Sequence, residues 1–380
     1  MSTTLSLSAG PTAVPVPATA GRIEFLSRYK GFLAVLVVLM HVGITYGGPG
    51  SWMFHDGNGV PWLTFLITMT SALSQSFVLG AFFFISAYFL PRSLEKKGAG
   101  RFLLDRLVKL GIPYGLFSIL VSPLLVMAVR AHAGKPVPFG PYFDSGPLWF
   151  IEALFIFTLV FMGVDAVRKA LGKAPGLRSP PSTGAIFLYI VCAAALGFAV
   201  RIFFPIGRSL HNLQLGYFPM YVILFVTGIA AGRGNWLEMI PRVKLGPWAP
   251  LAAAAAVALP PILVFGGAAK DVGPFLGGLT WQNAVYAGWE ALAGTALLIT
   301  SFVLFARGRW NRSGTGASFG SSSFGIFVLQ WPVIVLGGIA LSFLPLYPAL
   351  KWAILAAGGI CLLWGLTALL KKVPGVSRVL

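Results

Sequence analysis

The stretch that decides how this chain is built is Arg22-Ile-Glu-Phe-Leu-Ser-Arg-Tyr-Lys30, followed without a break by Gly31-Phe-Leu-Ala-Val-Leu-Val-Val-Leu-Met-His41. A basic cluster runs straight into an apolar segment, and the segment carries one histidine. Wound as a helix, the eleven residues from Lys30 to His41 make three turns and about 20° more. The two side chains then share a face, roughly 16 Å apart along the axis. A cation at an interface and an imidazole half a bilayer deeper describe a first membrane span. An ionisable group at that depth is expensive to keep and marks a functional candidate.

Apolar runs of the same kind recur to the end of the chain. Of the 380 residues, 57% are hydrophobic and only 10% charged, whereas a soluble domain carries about 25% charged residues. The mean hydropathy is +0.84. The fold expected is all-α, a polytopic transmembrane helical bundle of about ten spans. The spans fall at 31–46, 62–90, 102–129, 148–167, 185–204, 216–232, 248–266, 283–306, 318–344 and 349–370. Pro113 and Pro123 are expected to kink the third. Residues 68–76 are rich in Ser and Thr and leave open whether 62–90 is one span or two.

The net charge of +18 does not indicate nucleic acid, because the cations lie in short segments between apolar runs. With the amino terminus inside, 22 of the 28 Lys and Arg residues fall in cytoplasmic segments. The outer segments keep Arg130, Lys135, Arg201, Arg208, Lys270 and Lys351. Both termini are then cytoplasmic, and the expected location is the cytoplasmic (inner) membrane. Residues 1–21 have neither a basic n-region nor an apolar h-region and read as a disordered cytoplasmic tail, not a cleaved signal. Residues 22–372 form the membrane domain and 373–380 a short cytoplasmic tail.

Several chemistries have no support. Cys192 and Cys361 both lie inside apolar runs, which argues against a disulfide, a redox pair or a thiolate metal site. His55, His132 and His211 are in outer loops, and no pair of histidines has metal-ligand spacing. P-loop, HExxH and Rossmann patterns are missing.

What remains is a set of ionisable and amphipathic residues. His41 reads either as a polar contact between helices or as a general base, since histidine titrates near neutral pH. Glu152, in Gly146-Pro-Leu-Trp-Phe-Ile-Glu152, either pairs structurally with another span or orients a histidine or a hydroxylated substrate. Glu290 poses the same question. Arg101, Asp105, Arg106 and Lys109 recur about one turn apart, with Arg101–Asp105 and Asp105–Lys109 as candidate i,i+4 pairs. These cations either anchor the membrane surface or cradle the phosphates of a nucleotide-like donor.

Taken together, the segments resemble the acyltransferase-3 family of integral-membrane acyltransferases. The resemblance rests on Lys30-x10-His41, on Phe82-Phe-Phe-Ile-Ser-Ala-Tyr-Phe-Leu-Pro91, and on the basic run from Arg101 to Lys109 before Gly-Ile-Pro113. It continues in Pro147-Leu-Trp-Phe-Ile151 and in Ser323-Phe-Gly-Ile-Phe-Val-Leu-Gln-Trp-Pro332. These blocks occur in family order over nearly the whole chain. The resemblance implies an enzyme that moves an acyl group, usually acetyl from acetyl-CoA, to a hydroxyl of a carbohydrate or other cell-surface acceptor, with acyl-CoA as a donor substrate and no tightly bound cofactor. It implies His41 as the catalytic histidine, Lys30 as its paired basic residue, and Arg106 and Lys109, with Arg101 beside them, as the donor-binding cations. Trp149 matches the LWF block beside Glu152, and together with Glu290 and Gln330 is expected on the acceptor side. The chain departs from the family at Ser27, where many members have Asp, at Ala87 in place of Gly, and at Gln330, where many have a second histidine.

A transporter or exporter of a glycan or lipid-linked intermediate would use the same His41 and Glu152 as a proton relay. Succinyl transfer to periplasmic glucans is the nearest alternative within the enzyme class. Direct attack with His41 as base and an acyl-histidine relay both fit the sequence.

Overall fold

The computed structural model describes residues 24–57, 59–137, 144–173, 179–308 and 314–379. The expected tail at 1–21 and four of the expected inner cations, Arg22, Arg178, Arg309 and Arg312, lie outside the described residues. Among the described residues, ten helices are long and apolar enough to cross a membrane: α1 (Phe25–Thr45), α2 (Pro61–Lys97), α3 (Ala99–His132), α4 (Gly146–Ala170), α5 (Thr183–Phe203), α6 (Leu215–Gly234), α7 (Trp248–Phe265), α8 (Trp281–Arg307), α9 (Ser323–Ser342) and α10 (Pro348–Leu370). All ten coincide with the hydropathy spans, and no strand occurs among the described residues. The chain is a multi-pass helical membrane protein.

The second apolar run is one span. Pro61–Tyr88 forms a continuous helix, and an amphipathic extension, Leu90–Lys97, carries its end to the basic surface. Each proline of α3 is preceded by a local opening of the helix. Two π-helical turns, Leu107–Gly111 and Phe117–Val121, each end two residues before a proline. A proline ring would strike the carbonyl four residues back, and a wide turn inserted just before it relieves that clash.

The bundle closes where side chains are smallest. A Cβ on Gly232 would lie 2.1 Å from the Tyr88 carbonyl oxygen, and one on Gly228 2.4 Å from that of Phe84. Only glycine lets α6 lie this close to α2, the close approach that small residues permit between membrane helices. Phe83 then meets Phe150 of α4 and Tyr221 of α6 in one aromatic core, at centroid distances of 4.6 and 5.0 Å.

The connection after α1 folds back over the end of that helix. The Asp56 N–H donates to the Thr45 carbonyl at 2.9 Å, and His55 Nδ1 donates to the Ile44 carbonyl at 3.1 Å. Phe54 is buried in a cluster with Leu125, Trp331 and Val335. Lys351, counted among the cations of the outer segments, is buried and pairs with Asp56 at 2.9 Å. Burial, reinforced by Asp56, raises the Tyr46 hydroxyl above the ordinary tyrosine range, so it stays protonated.

Candidate active site

His41 stands in the last turns of α1 and is held on two sides. Its Nδ1 lies 3.1 Å from Gln330 Oε1 of α9. An amide oxygen only accepts, so this contact puts the imidazole proton on Nδ1 and leaves Nε2 with a free lone pair. Trp52, from the folded-back loop, stacks on the imidazole with centroids 4.5 Å apart and planes 23° apart. Gln330 is completely buried. Trp52 was not among the residues singled out in the sequence. The signal was there, since Trp52-Met-Phe54 is an apolar run inside a connection otherwise rich in glycine.

Three turns back along α1, Lys30 opens onto a cavity of about 280 Å³. Arg106 and Lys109 from the start of α3 share its lining with Ser86 of α2 and Ser323 of α9. Deeper, its walls are Phe82, Phe150, Ile151 and Phe327. Among the described residues no carboxylate lines it. Arg106 also lies over the Phe102 ring at 5.0 Å and Lys109 over Phe324 at 5.8 Å. Lys371, just beyond α10, bonds the Ser321 carbonyl at 2.7 Å and adds its field to that of Lys109. Burial pulls the Lys371 ammonium below the ordinary lysine value. A basic mouth leading to an aromatic interior suits an anionic headgroup with an uncharged arm.

The remaining candidates separate. Arg101 is exposed and outside the cavity lining. Neither expected i,i+4 pair forms; Asp105 bonds Lys97 instead, leaving Arg106 and Lys109 to the cavity. Glu152 accepts a hydrogen bond from Tyr114 at 2.8 Å, so it is held from α3, while the group that orients His41 is Gln330. The turn that sets Glu152 in place depends on Gly146, at φ 45°, where a Cβ would lie 2.6 Å from the Trp331 ring. Trp149 stacks on Tyr221 at 6.2 Å.

Glu290 ends in a different setting. It pairs with Arg201, which was expected in an outer segment but is completely buried near the end of α5. Arg201 also donates to the Gly216 carbonyl at 3.0 Å and lies between the rings of Tyr217 and Tyr286. Burial inside the bundle is the correction to the charge count, since a guanidinium with a carboxylate partner tolerates a place that a lone cation does not.

The five blocks that carried the resemblance are spread over some three hundred residues, and every one of them contributes to the cavity lining: Lys30, Phe82 with Ser86, Arg106 with Lys109, Phe150 with Ile151, and Ser323 with Phe327. The profile of a family described as an acyltransferase domain, acyltransferase-3, matches residues 23–368. The chain belongs to that family. It is a membrane acyltransferase, and the match takes in all ten spans of the bundle up to the last turn of α10. No curated protein and no solved structure matches this acyltransferase.

Proposed function

We infer that the enzyme transfers an acyl group, acetyl in the first instance, from acyl-CoA to a hydroxyl of a carbohydrate at the cell envelope, and that it works in the cytoplasmic membrane with the basic end of the bundle inside. The observation that carries this reading is the cavity: cations without a carboxylate at its mouth, aromatic walls within, and family blocks on every side. The phosphates of coenzyme A meet Lys30, Arg106 and Lys109, and the uncharged arm lies along Phe82, Phe150 and Phe327. A hydroxyl is a weak nucleophile at neutral pH and needs a positioned base. His41 Nε2 takes the proton as the acceptor oxygen attacks the thioester carbonyl. The new C–O bond forms, the C–S bond breaks, and the proton passes to the departing thiolate.

The test is release of free CoA thiol by the purified protein in nanodiscs, with acetyl-CoA as donor and a sugar as acceptor. The expected result is turnover in the wild type and none in His41→Ala, with stabilisation by acetyl-CoA retained in both. Turnover by a folded His41→Ala protein would remove the base assignment. Absence of any acetyl-CoA stabilisation in the wild type would remove the donor and leave transport as the leading explanation of the buried ionisable groups.

A further inference from the structure

The two side chains that hold His41 have more hydrogen-bonding capacity than the protein uses. Gln330 gives its oxygen to the imidazole, but its Nε2 is buried with no partner among the described residues. Trp52 gives its ring to the imidazole face, and its Nε1 is likewise buried without a partner. Buried N–H groups are nearly always paired, and leaving one unpaired is costly. Here two such donors sit on the side chain that bonds the catalytic candidate and the side chain that stacks on it, and Gln330 itself is completely buried. The folded-back loop that delivers Trp52 is fixed by Asp56 to Lys351 and by His55 to Ile44, so the indole is held in place.

We propose that Trp52 and Gln330 are the acceptor-reading residues of the His41 centre, their unpartnered N–H groups donating to oxygens that flank the hydroxyl to be acylated. This rests on the transfer reading above. Gln330 then has two functions in one amide: its oxygen sets the imidazole tautomer, and its nitrogen selects the acceptor. The base needs only one hydroxyl, but two donors beside it require further acceptor oxygens on the same molecule. A mono-alcohol would leave both donors buried and unpaired, and a site built to hydrogen-bond a group discriminates against an analogue that lacks it. A single vicinal hydroxyl oxygen, with its two lone pairs, accepts from both.

A matched pair of acceptors tests this directly: trans-cyclohexane-1,2-diol against cyclohexanol, each with acetyl-CoA, followed by CoA thiol release in nanodiscs. The wild type is expected to favour the diol in kcat/KM by about tenfold or more, the size of one hydrogen bond kept or lost. Trp52→Phe keeps the stacked ring and removes the N–H; Gln330→Glu keeps an oxygen for His41 and removes the donors. Both are expected to lower diol turnover and shrink the preference several-fold, with acetyl-CoA stabilisation unchanged. A purely structural role would slow both alcohols alike. Equal use of the two alcohols by the wild type, or a preference undiminished in both variants, overturns the proposal and leaves acyl transfer standing. No thiol release with either alcohol and no acetyl-CoA stabilisation overturns the transfer reading, and the acceptor proposal with it.

Discussion

Two of the charged centres in this bundle are built on opposite principles. At the Arg201–Glu290 centre a guanidinium meets a carboxylate, a backbone carbonyl and two tyrosine rings, and the space left beside it is about 10 Å³, room for about one water. At the other, Lys30, Arg106 and Lys109 face a cavity of about 280 Å³ with no carboxylate in its lining among the described residues. Both place cations within the bundle. The difference is what the space beside the charge holds: at the first the protein's own carboxylate, at the second an open cavity. A centre packed shut around its own ion pair holds helices together, and cations that line an open cavity are placed to receive an anion from outside.

That contrast sets the expected effects of mutation, the largest first. Glu290→Ala strands the Arg201 charge in the interior and is expected to destabilise the fold by about 3–5 kcal/mol, read as a large drop in the detergent melting temperature. Replacing both partners with apolar residues, Arg201→Met with Glu290→Leu, should recover most of that loss; failure to recover would mean the pair does more than compensate itself. At the cavity the pattern reverses. Arg106→Ala with Lys109→Ala leaves no buried carboxylate unpaired, so the melting temperature should hold, while acetyl-CoA binding weakens by about 1.5–3 kcal/mol per lost charged contact. Equal losses for donor and acceptor would return these cations to a purely topological role.

Salt sharpens the same comparison. Raising ionic strength should weaken acetyl-CoA binding at the open mouth and leave the stability supplied by Arg201–Glu290 almost untouched, because buried pairs are screened far less than exposed charges. The smallest effect belongs to Lys97→Ala. It removes the exposed partner of Asp105, and no measurable change in melting temperature is expected.

The sequence made the ten spans legible because length and apolar composition alone define them, and all ten have helical counterparts. It also flagged the two weak points of α3, since Pro113 and Pro123 each require a local departure from regular helix. Lys30, His41, Arg106 and Lys109 were visible as ionisable residues in the wrong place or at a regular spacing. Their grouping was not, because it depends on which helix ends meet. Arg201 and Glu290 stand 89 residues apart, and nothing local connects them; counted from the sequence, Arg201 was an outer cation. Trp52 escaped for a different reason. A connection between spans is read as polar and exposed by default, and only its return over α1 turns an aromatic residue in a loop into a neighbour of His41.

The central claim is that the cation-lined cavity is the donor site. Its most direct test is acetyl-CoA-dependent thermal stabilisation of the purified protein in nanodiscs, comparing the wild type, Arg106→Ala with Lys109→Ala, and Arg201→Met with Glu290→Leu. The expected result is a saturable rise in melting temperature that is lost in the cavity variant and kept in the neutralised-pair variant. A rise of equal size in all three, or in none, would contradict it.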